Sequence, residues 1–113
     1  MTTTSLANTA IELSVSDPFE FGTECGDRPH PGTVADVSSE AILVRLDPPL
    51  RYQGKRLVAA IARPRHTGDS TQRLSTDRKL FVNILFLERE VAGLDSLSPT
   101  EPGVAAIGTA IAS

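Results

Sequence analysis

The sequence has little of the residue types that mark several common classes of small protein. Its 113 residues include one cysteine and no tryptophan, and aromatic residues make up only 4% of the chain. A single thiol excludes an intramolecular disulfide scaffold and predicts a cytoplasmic protein. So few rings predict a core of Val, Leu, Ile and Ala. They also leave few platforms on which nucleic-acid bases would stack.

Long hydrophobic runs are also missing. No stretch approaches the roughly 18 consecutive apolar residues of a membrane-spanning helix. Residues 1–5 lack the basic start and apolar run of a signal peptide. We therefore expect no membrane partner. With 40% hydrophobic and 22% charged residues the composition is that of a globular protein, and the length predicts one domain.

Charge is distributed unevenly along the chain, although the formal net charge is only -3. Residues 1–50 carry eight acidic and two basic residues, a net of -6. Residues 51–80 carry eight basic and two acidic residues, a net of +6. Residues 81–113 return to a net of -3, from four acidic residues and one basic residue. The whole chain is therefore not a general nucleic-acid binder, but its middle third predicts a local basic surface.

Short alternations of apolar and polar residues, separated by glycine and proline, predict an all-β protein. The expected strands are 11–15, 33–37, 41–46, 57–62 and 80–87, with 104–111 as an alternative sixth. Turns are expected at 38–40 and at Gly54, and Asp47-Pro48-Pro49 is expected to end the third strand. Five or six short strands of this kind favour a small antiparallel barrel or sandwich.

The domain organisation follows from the same pattern. Residues 1–10 are predicted to be a flexible arm, 11–91 a single β domain, and 92–113 a flexible or partner-ordered tail. The stretch 80–87 is apolar on both faces, so as a strand it must be central or covered by another element. A helix is its alternative, because Glu88-Arg89-Glu90 would extend one. Such an apolar strand also allows pairing with a second copy, so a homodimer is retained as an alternative.

One part of the pattern resembles a known barrel class. Gly32-Thr33-Val34-Ala35-Asp36-Val37, a turn, and then Ile42-Leu43-Val44-Arg45-Leu46 look like the opening hairpin of an SH3-like barrel. The resemblance covers about residues 32–62 and consists of strands and turns rather than a fixed motif. It implies a domain that binds peptides, nucleic acid or other subunits rather than a catalyst.

The basic middle third supplies the candidate binding residues. Arginine at this density suits the recognition of carboxylates or phosphates, and Tyr52 is the only tyrosine. The candidates are Arg51, Tyr52, Lys55, Arg56, Arg63, Arg65, His66 and Arg73. They predict a non-catalytic recognition module (an adaptor, accessory subunit or inhibitor-type partner) for an acidic protein surface, without a cofactor. A small nucleic-acid-binding barrel is the first alternative.

A thiol- or metal-dependent enzyme is the second alternative. Cys25 lies five residues before His30, and His66 would come from another loop. A catalytic thiol needs a lowered pKa and a nearby base, which Arg28 and His30 would supply. Zinc sites usually show paired short spacings such as Cys-x-x-Cys, and the sequence has none. We therefore expect neither a catalytic residue nor a metal ligand here.

Overall fold

The computed structural model describes residues 9–17, 30–38, 40–52, 54–66, 79–96 and 103–112. These residues form six β-strands and one short 3-10 helix at Leu94–Ser96. The strands are β1 Ala10–Asp17, β2 His30–Val37, β3 Ile42–Tyr52, β4 Lys55–Pro64, β5 Leu80–Leu87 and β6 Gly103–Ala112. Each strand pairs antiparallel with the next, and β6 pairs with β1, so the sheet closes into a barrel. The predicted all-β fold is confirmed.

Strands β1, β3, β5 and β6 contribute alternate side chains to the barrel interior, as strand geometry requires. The interior core is almost entirely aliphatic, with Phe86 as its one aromatic member among the described residues. On β5 the buried inward side chains are Leu80, Val82, Ile84 and Phe86. The expectation of an aliphatic core and of a strand, not a helix, over 80–87 is therefore confirmed.

A second apolar cluster lies outside the barrel on β3, β4 and β5. Its buried members are Ala41, Leu43, Ala59, Ile61 and Leu87. The segment of residues 88–96, here called the covering segment, packs Val91 and Leu94 against this cluster. The covering segment thus buries Leu87 on the outer face of β5, as the apolar pattern of that strand required.

Strand β3 is longer than the sequence predicted. Asp47-Pro48-Pro49 was expected to end it, but β3 continues to Tyr52. The pairing with β4 passes from Arg45↔Ala59 to Leu50↔Leu57, so residues 46–49 lie opposite Val58 alone. Proline is tolerated at such a bulge because no ladder hydrogen bond is required of it there.

Residues 103–112 form the last strand of the barrel. Its small residues allow β6 to lie very close to both neighbouring strands. A Cβ at Gly108 would collide with the carbonyl oxygen of Ser14 on β1, and one at Gly103 would collide with that of Phe86 on β5. The low side-chain volume of β6 is thus what permits the barrel to close.

Both predicted turns are present. Ser38 closes the β2–β3 turn: its N–H donates to the carbonyl of Ala41 at 2.8 Å, and its Oγ accepts from the N–H of Ala41 at 3.1 Å. Gly54 has a φ of 78° in the β3–β4 turn. Glycine adopts a positive φ readily because it has no Cβ, which explains why glycine occupies this turn position.

Candidate functional site

The candidate basic residues divide between the two ends of β4. Lys55 and Arg56 begin the strand, and Arg51 lies directly across from Arg56 on β3. Arg63 lies near the far end, and Arg65 and His66 follow it. At about 3.3 Å per residue, Arg56 and Arg63 are separated by about 23 Å along the strand. The single basic surface expected from the sequence is therefore two separate groups.

Beside the far end of β4, the start of β5 carries the most exposed large hydrophobic side chain of the described residues. Phe81 is 49% exposed, because Leu80 and Val82 on either side of it point into the barrel. Its carbonyl accepts a hydrogen bond of 2.9 Å from the N–H of Arg65, which holds the end of β4 beside β5. This backbone bond fixes the positions from which the neighbouring side chains approach the ring.

Two cationic or ionisable side chains contact the Phe81 ring. The Arg65 guanidinium carbon lies 5.9 Å from the ring centroid, within the range of a cation–π interaction. The His66 ring meets it edge-on, with centroids 5.5 Å apart and an interplanar angle of 82°. Arg63, opposite the exposed Asn83, extends this group, here called the Phe81 surface: Arg63, Arg65, His66, Phe81 and Asn83.

The Phe81 surface is basic as well as aromatic. The described stretches 61–66 and 79–86 contain Arg63, Arg65 and Lys79, and neither stretch contains an aspartate or glutamate. All three basic side chains are exposed. The surface therefore combines an apolar ring with positive charge that its own strands do not neutralise.

Sequence reasoning missed Phe81, which it assigned to a covered second face of β5. Only Leu85 and Leu87 of that face pack with the second apolar cluster, whereas Phe81 lies beyond its reach. The signal available in the sequence was the polar pair Lys79 and Asn83, which flanks Phe81 at the same outward spacing.

The remaining candidates are distributed as follows. Arg73 and Cys25 lie outside the described residues. His30 is 6% exposed at the start of β2, whereas His66 is exposed after β4. Within the described ranges, no group of three or more His, Cys, Asp or Glu residues is placed to hold a metal ion. The described helical segments include none that is long and apolar enough to span a membrane.

Comparisons with known proteins do not assign a family. A scan against protein-family models, a search of curated proteins and a search of solved structures each found no match to this chain.

Proposed function

We propose that this chain is a non-catalytic protein-recognition module that binds an acidic protein surface through the Phe81 surface. The observation that carries the proposal is the exposed Phe81 ring with Arg65 over it and His66 at its edge. We also propose that the barrel is of the SH3-like type. The closed six-stranded antiparallel architecture is compatible with that assignment.

An exposed phenyl ring with adjoining arginines matches the composition of binding hot spots. Interface cores are enriched in aromatic residues and arginine, and a few such residues dominate the binding energy. An aromatic side chain buries roughly 150–250 Å² when a partner covers it. Phe81 has about half of its surface still exposed, so a partner would gain apolar contact there.

The charge of the Phe81 surface specifies the chemistry of the partner. Arg63, Arg65 and Lys79 have no acidic neighbour within the described stretches 61–66 and 79–86. Carboxylates on a partner would pair with these side chains around the ring, and arginine binds carboxylates through two parallel hydrogen bonds. A partner with an apolar patch rimmed by Asp or Glu fits this arrangement.

Single-stranded nucleic acid is the competing ligand, because an exposed ring beside arginines also suits base stacking. Proteins of that class use several rings in succession, whereas Phe81 is the only large hydrophobic exposed among the described residues. The net charge of -3 also opposes general phosphate binding. Acidic protein is therefore the favoured partner.

The test is affinity capture from a native cell extract with and without nuclease, using wild type, Phe81→Ala/Arg65→Glu and Arg51→Glu. Arg51→Glu is the matched control, because it makes the same charge change at the other end of β4. We expect a stoichiometric protein that survives nuclease, is retained by Arg51→Glu and is lost with the double variant. Recovery of nucleic acid by the wild type alone would assign the surface to that ligand instead.

A further inference from the structure

The connection between β5 and β6 is longer than the pairing of these two strands requires. Leu87, the last residue of β5, and Gly103, the first residue of β6, are direct cross-strand partners. Residues 88–102 lie between them, whereas hairpin loops usually have about two to five residues. The strands themselves therefore hold the two ends of this connection side by side, whatever place the residues between them take.

The covering segment, residues 88–96, is the part of this connection that lies over the outer face of the barrel. Its Val91 and Leu94 pack on the second apolar cluster, and both side chains are only partly buried. Buried leucine and isoleucine side chains, such as Leu43 and Ile61, lie beneath them. Among the described residues, no strand pairs with the covering segment. Side-chain packing rather than strand pairing thus holds it on the barrel.

The Asp36 carboxylate on β2 anchors the covering segment at Leu94. Its Oδ2 accepts a hydrogen bond of 2.8 Å from the backbone N–H of Leu94. Gly93 permits this close approach, because a Cβ at that position would lie 3.0 Å from the same oxygen. Every residue except proline carries a backbone N–H. Asp36 would therefore serve equally well as the acceptor for another chain segment lying in this place.

The covering segment does not fill the space that it covers. A cavity of about 20 Å³ remains beside Val91, and its lining includes Leu43 and Val58, with Arg45 and Glu90 as its charged members. This volume holds about one water molecule, or the additional methyl group of an isoleucine. A larger aliphatic side chain in place of Val91 would therefore gain contacts that the covering segment itself does not make.

We propose that the covering segment is a displaceable strap over a second binding site, which takes an aliphatic segment of a partner protein. The covering segment itself defines the ligand: two aliphatic side chains three positions apart, the second with a backbone N–H for Asp36. A larger side chain at the first position fills the cavity beside Val91 and so displaces the strap. The barrel stays closed, because the pairing of Leu87 with Gly103 is not disturbed. The site is separate from the Phe81 surface and does not depend on the proposed function.

Amide hydrogen exchange on the full chain tests whether the strap opens by itself. Segments that move in ligand binding belong to the least stable parts of a structure and open without global unfolding. We expect the Leu94 amide to exchange at least about 100-fold faster than the amides of β5, with little dependence on denaturant. If Leu94 and β5 exchange together, with the same denaturant dependence, the strap opens only with the whole barrel and the proposal fails.

A peptide taken from the chain tests the binding site. The probe is residues 88–96 as a capped peptide with Val91→Ile, and the control peptide carries Val91→Ser/Leu94→Ser. The receptors are the wild-type chain and a Val91→Ser/Leu94→Ser chain, whose strap lacks its two apolar contacts while the second apolar cluster and Asp36 are unchanged.

The probe should bind the serine chain at least about tenfold more tightly than the wild type, because the strap no longer competes for the site. It should also shift the NMR signals of Leu43 and Ile61, with the barrel intact by its spectrum. The control peptide should not bind. No binding of the probe at millimolar concentration, or equal binding of the two peptides, would overturn the proposal.

A reversible disulfide provides a matched pair with a locked and a free strap. A Cβ at Gly93 would lie 3.8 Å from the Cγ of Asp36, so Asp36→Cys/Gly93→Cys places two thiols within reach of a disulfide. Cys25→Ser removes the natural thiol from this variant. The oxidised protein should bind the probe at least about tenfold more weakly than the same protein when reduced. Equal affinity of the two forms would refute displacement of the strap.

Two further outcomes would assign the probe or the site differently. Arg63→Glu/Arg65→Glu should leave probe affinity unchanged, and a loss of affinity there would assign the probe to the Phe81 surface. That result would refute this site without affecting the proposed function. A dimer of the wild type that disappears with Val91→Ser/Leu94→Ser would show that two copies exchange their covering segments. It would overturn the assignment of the site to a partner protein.

Discussion

The carboxylate of Asp36 on β2 accepts a hydrogen bond of 2.8 Å from the backbone N–H of Leu94, which lies 58 positions further along the chain. The other carboxylate oxygen accepts from the N–H of Val37 at 2.9 Å. Asp36 thus connects the β2–β3 hairpin to the covering segment. Because Leu94 packs on the second apolar cluster, this connection keeps that cluster covered.

Replacing Asp36 with alanine is expected to loosen the covering segment without unfolding the barrel. The N–H of Leu94 would lose its charged acceptor, at a cost of about 1–3 kcal/mol in the free energy of unfolding. Chemical denaturation measures the loss, and amide exchange at Leu94 shows where it acts. Glu40→Ala, at an exposed residue of the neighbouring turn, is the control and should change little. Equal stability of the two variants would contradict the role of Asp36.

Replacing Gly108 with alanine is expected to separate β6 from β1. The new Cβ would overlap the Ser14 carbonyl oxygen and would lie 3.0 Å from the Val15 Cα, and both are backbone atoms that cannot turn aside. Such overpacking typically costs about 1–3 kcal/mol or more. The melting temperature should fall clearly. Ala105→Ser, at an exposed position of the same strand, should leave it nearly unchanged.

Replacing Arg51 with glutamate is expected to stabilise the fold. The change turns the repulsive pair with Arg56 into an attractive one, worth roughly 0.2–1 kcal/mol for a cross-strand pair. Added salt should reduce the difference, because it screens both interactions. Arg63→Glu faces the uncharged Asn83 and is the matched control. If the two variants show the same stability change, the Arg51–Arg56 repulsion is not significant.

Two phenylalanines of β5 are expected to behave in opposite ways. Phe86 is fully buried in the barrel interior, so Phe86→Ala should cost about 3–5 kcal/mol. Phe81 is half exposed, and its contacts with Arg65 and His66 are surface contacts, so Phe81→Ala should cost less than about 1 kcal/mol. Urea denaturation of both variants checks this. A large loss with Phe81→Ala would assign Phe81 to the core.

The sequence predicted the strands well where an apolar alternation lies between strong turn residues. The pattern over Leu80–Leu87 and the turn at Gly54 both depend on local chemistry, and both are found. The continuation of β3 through Asp47-Pro48-Pro49 was not predictable, because it requires a bulge that only the partner strand reveals. The sequence also left the role of β6 ambiguous. Small residues are common in flexible tails, and they are equally common in strands that lie very close to their neighbours.

The binding surfaces were less predictable than the fold. Arg56 and Arg63 are close in sequence, but an extended strand separates them by about 23 Å at 3.3 Å per residue. Arg56 and Arg63 could share one surface only if the chain reversed direction between them. Strand β4 instead runs without a turn from Lys55 to Pro64. The exposure of Phe81 depends on where the covering segment ends, and that is a tertiary property.

Site-directed photo-cross-linking from position 83 tests the central claim most directly. Asn83 is exposed in the Phe81 surface, and Ala35, exposed on β2, provides the control position. With a photoreactive amino acid placed at position 83 or at position 35, we expect a discrete protein adduct from position 83 only. That adduct should be absent from position 35 and should disappear when Phe81→Ala is added. Adducts with nucleic acid alone, or a protein adduct that persists without Phe81, would contradict protein recognition by this surface.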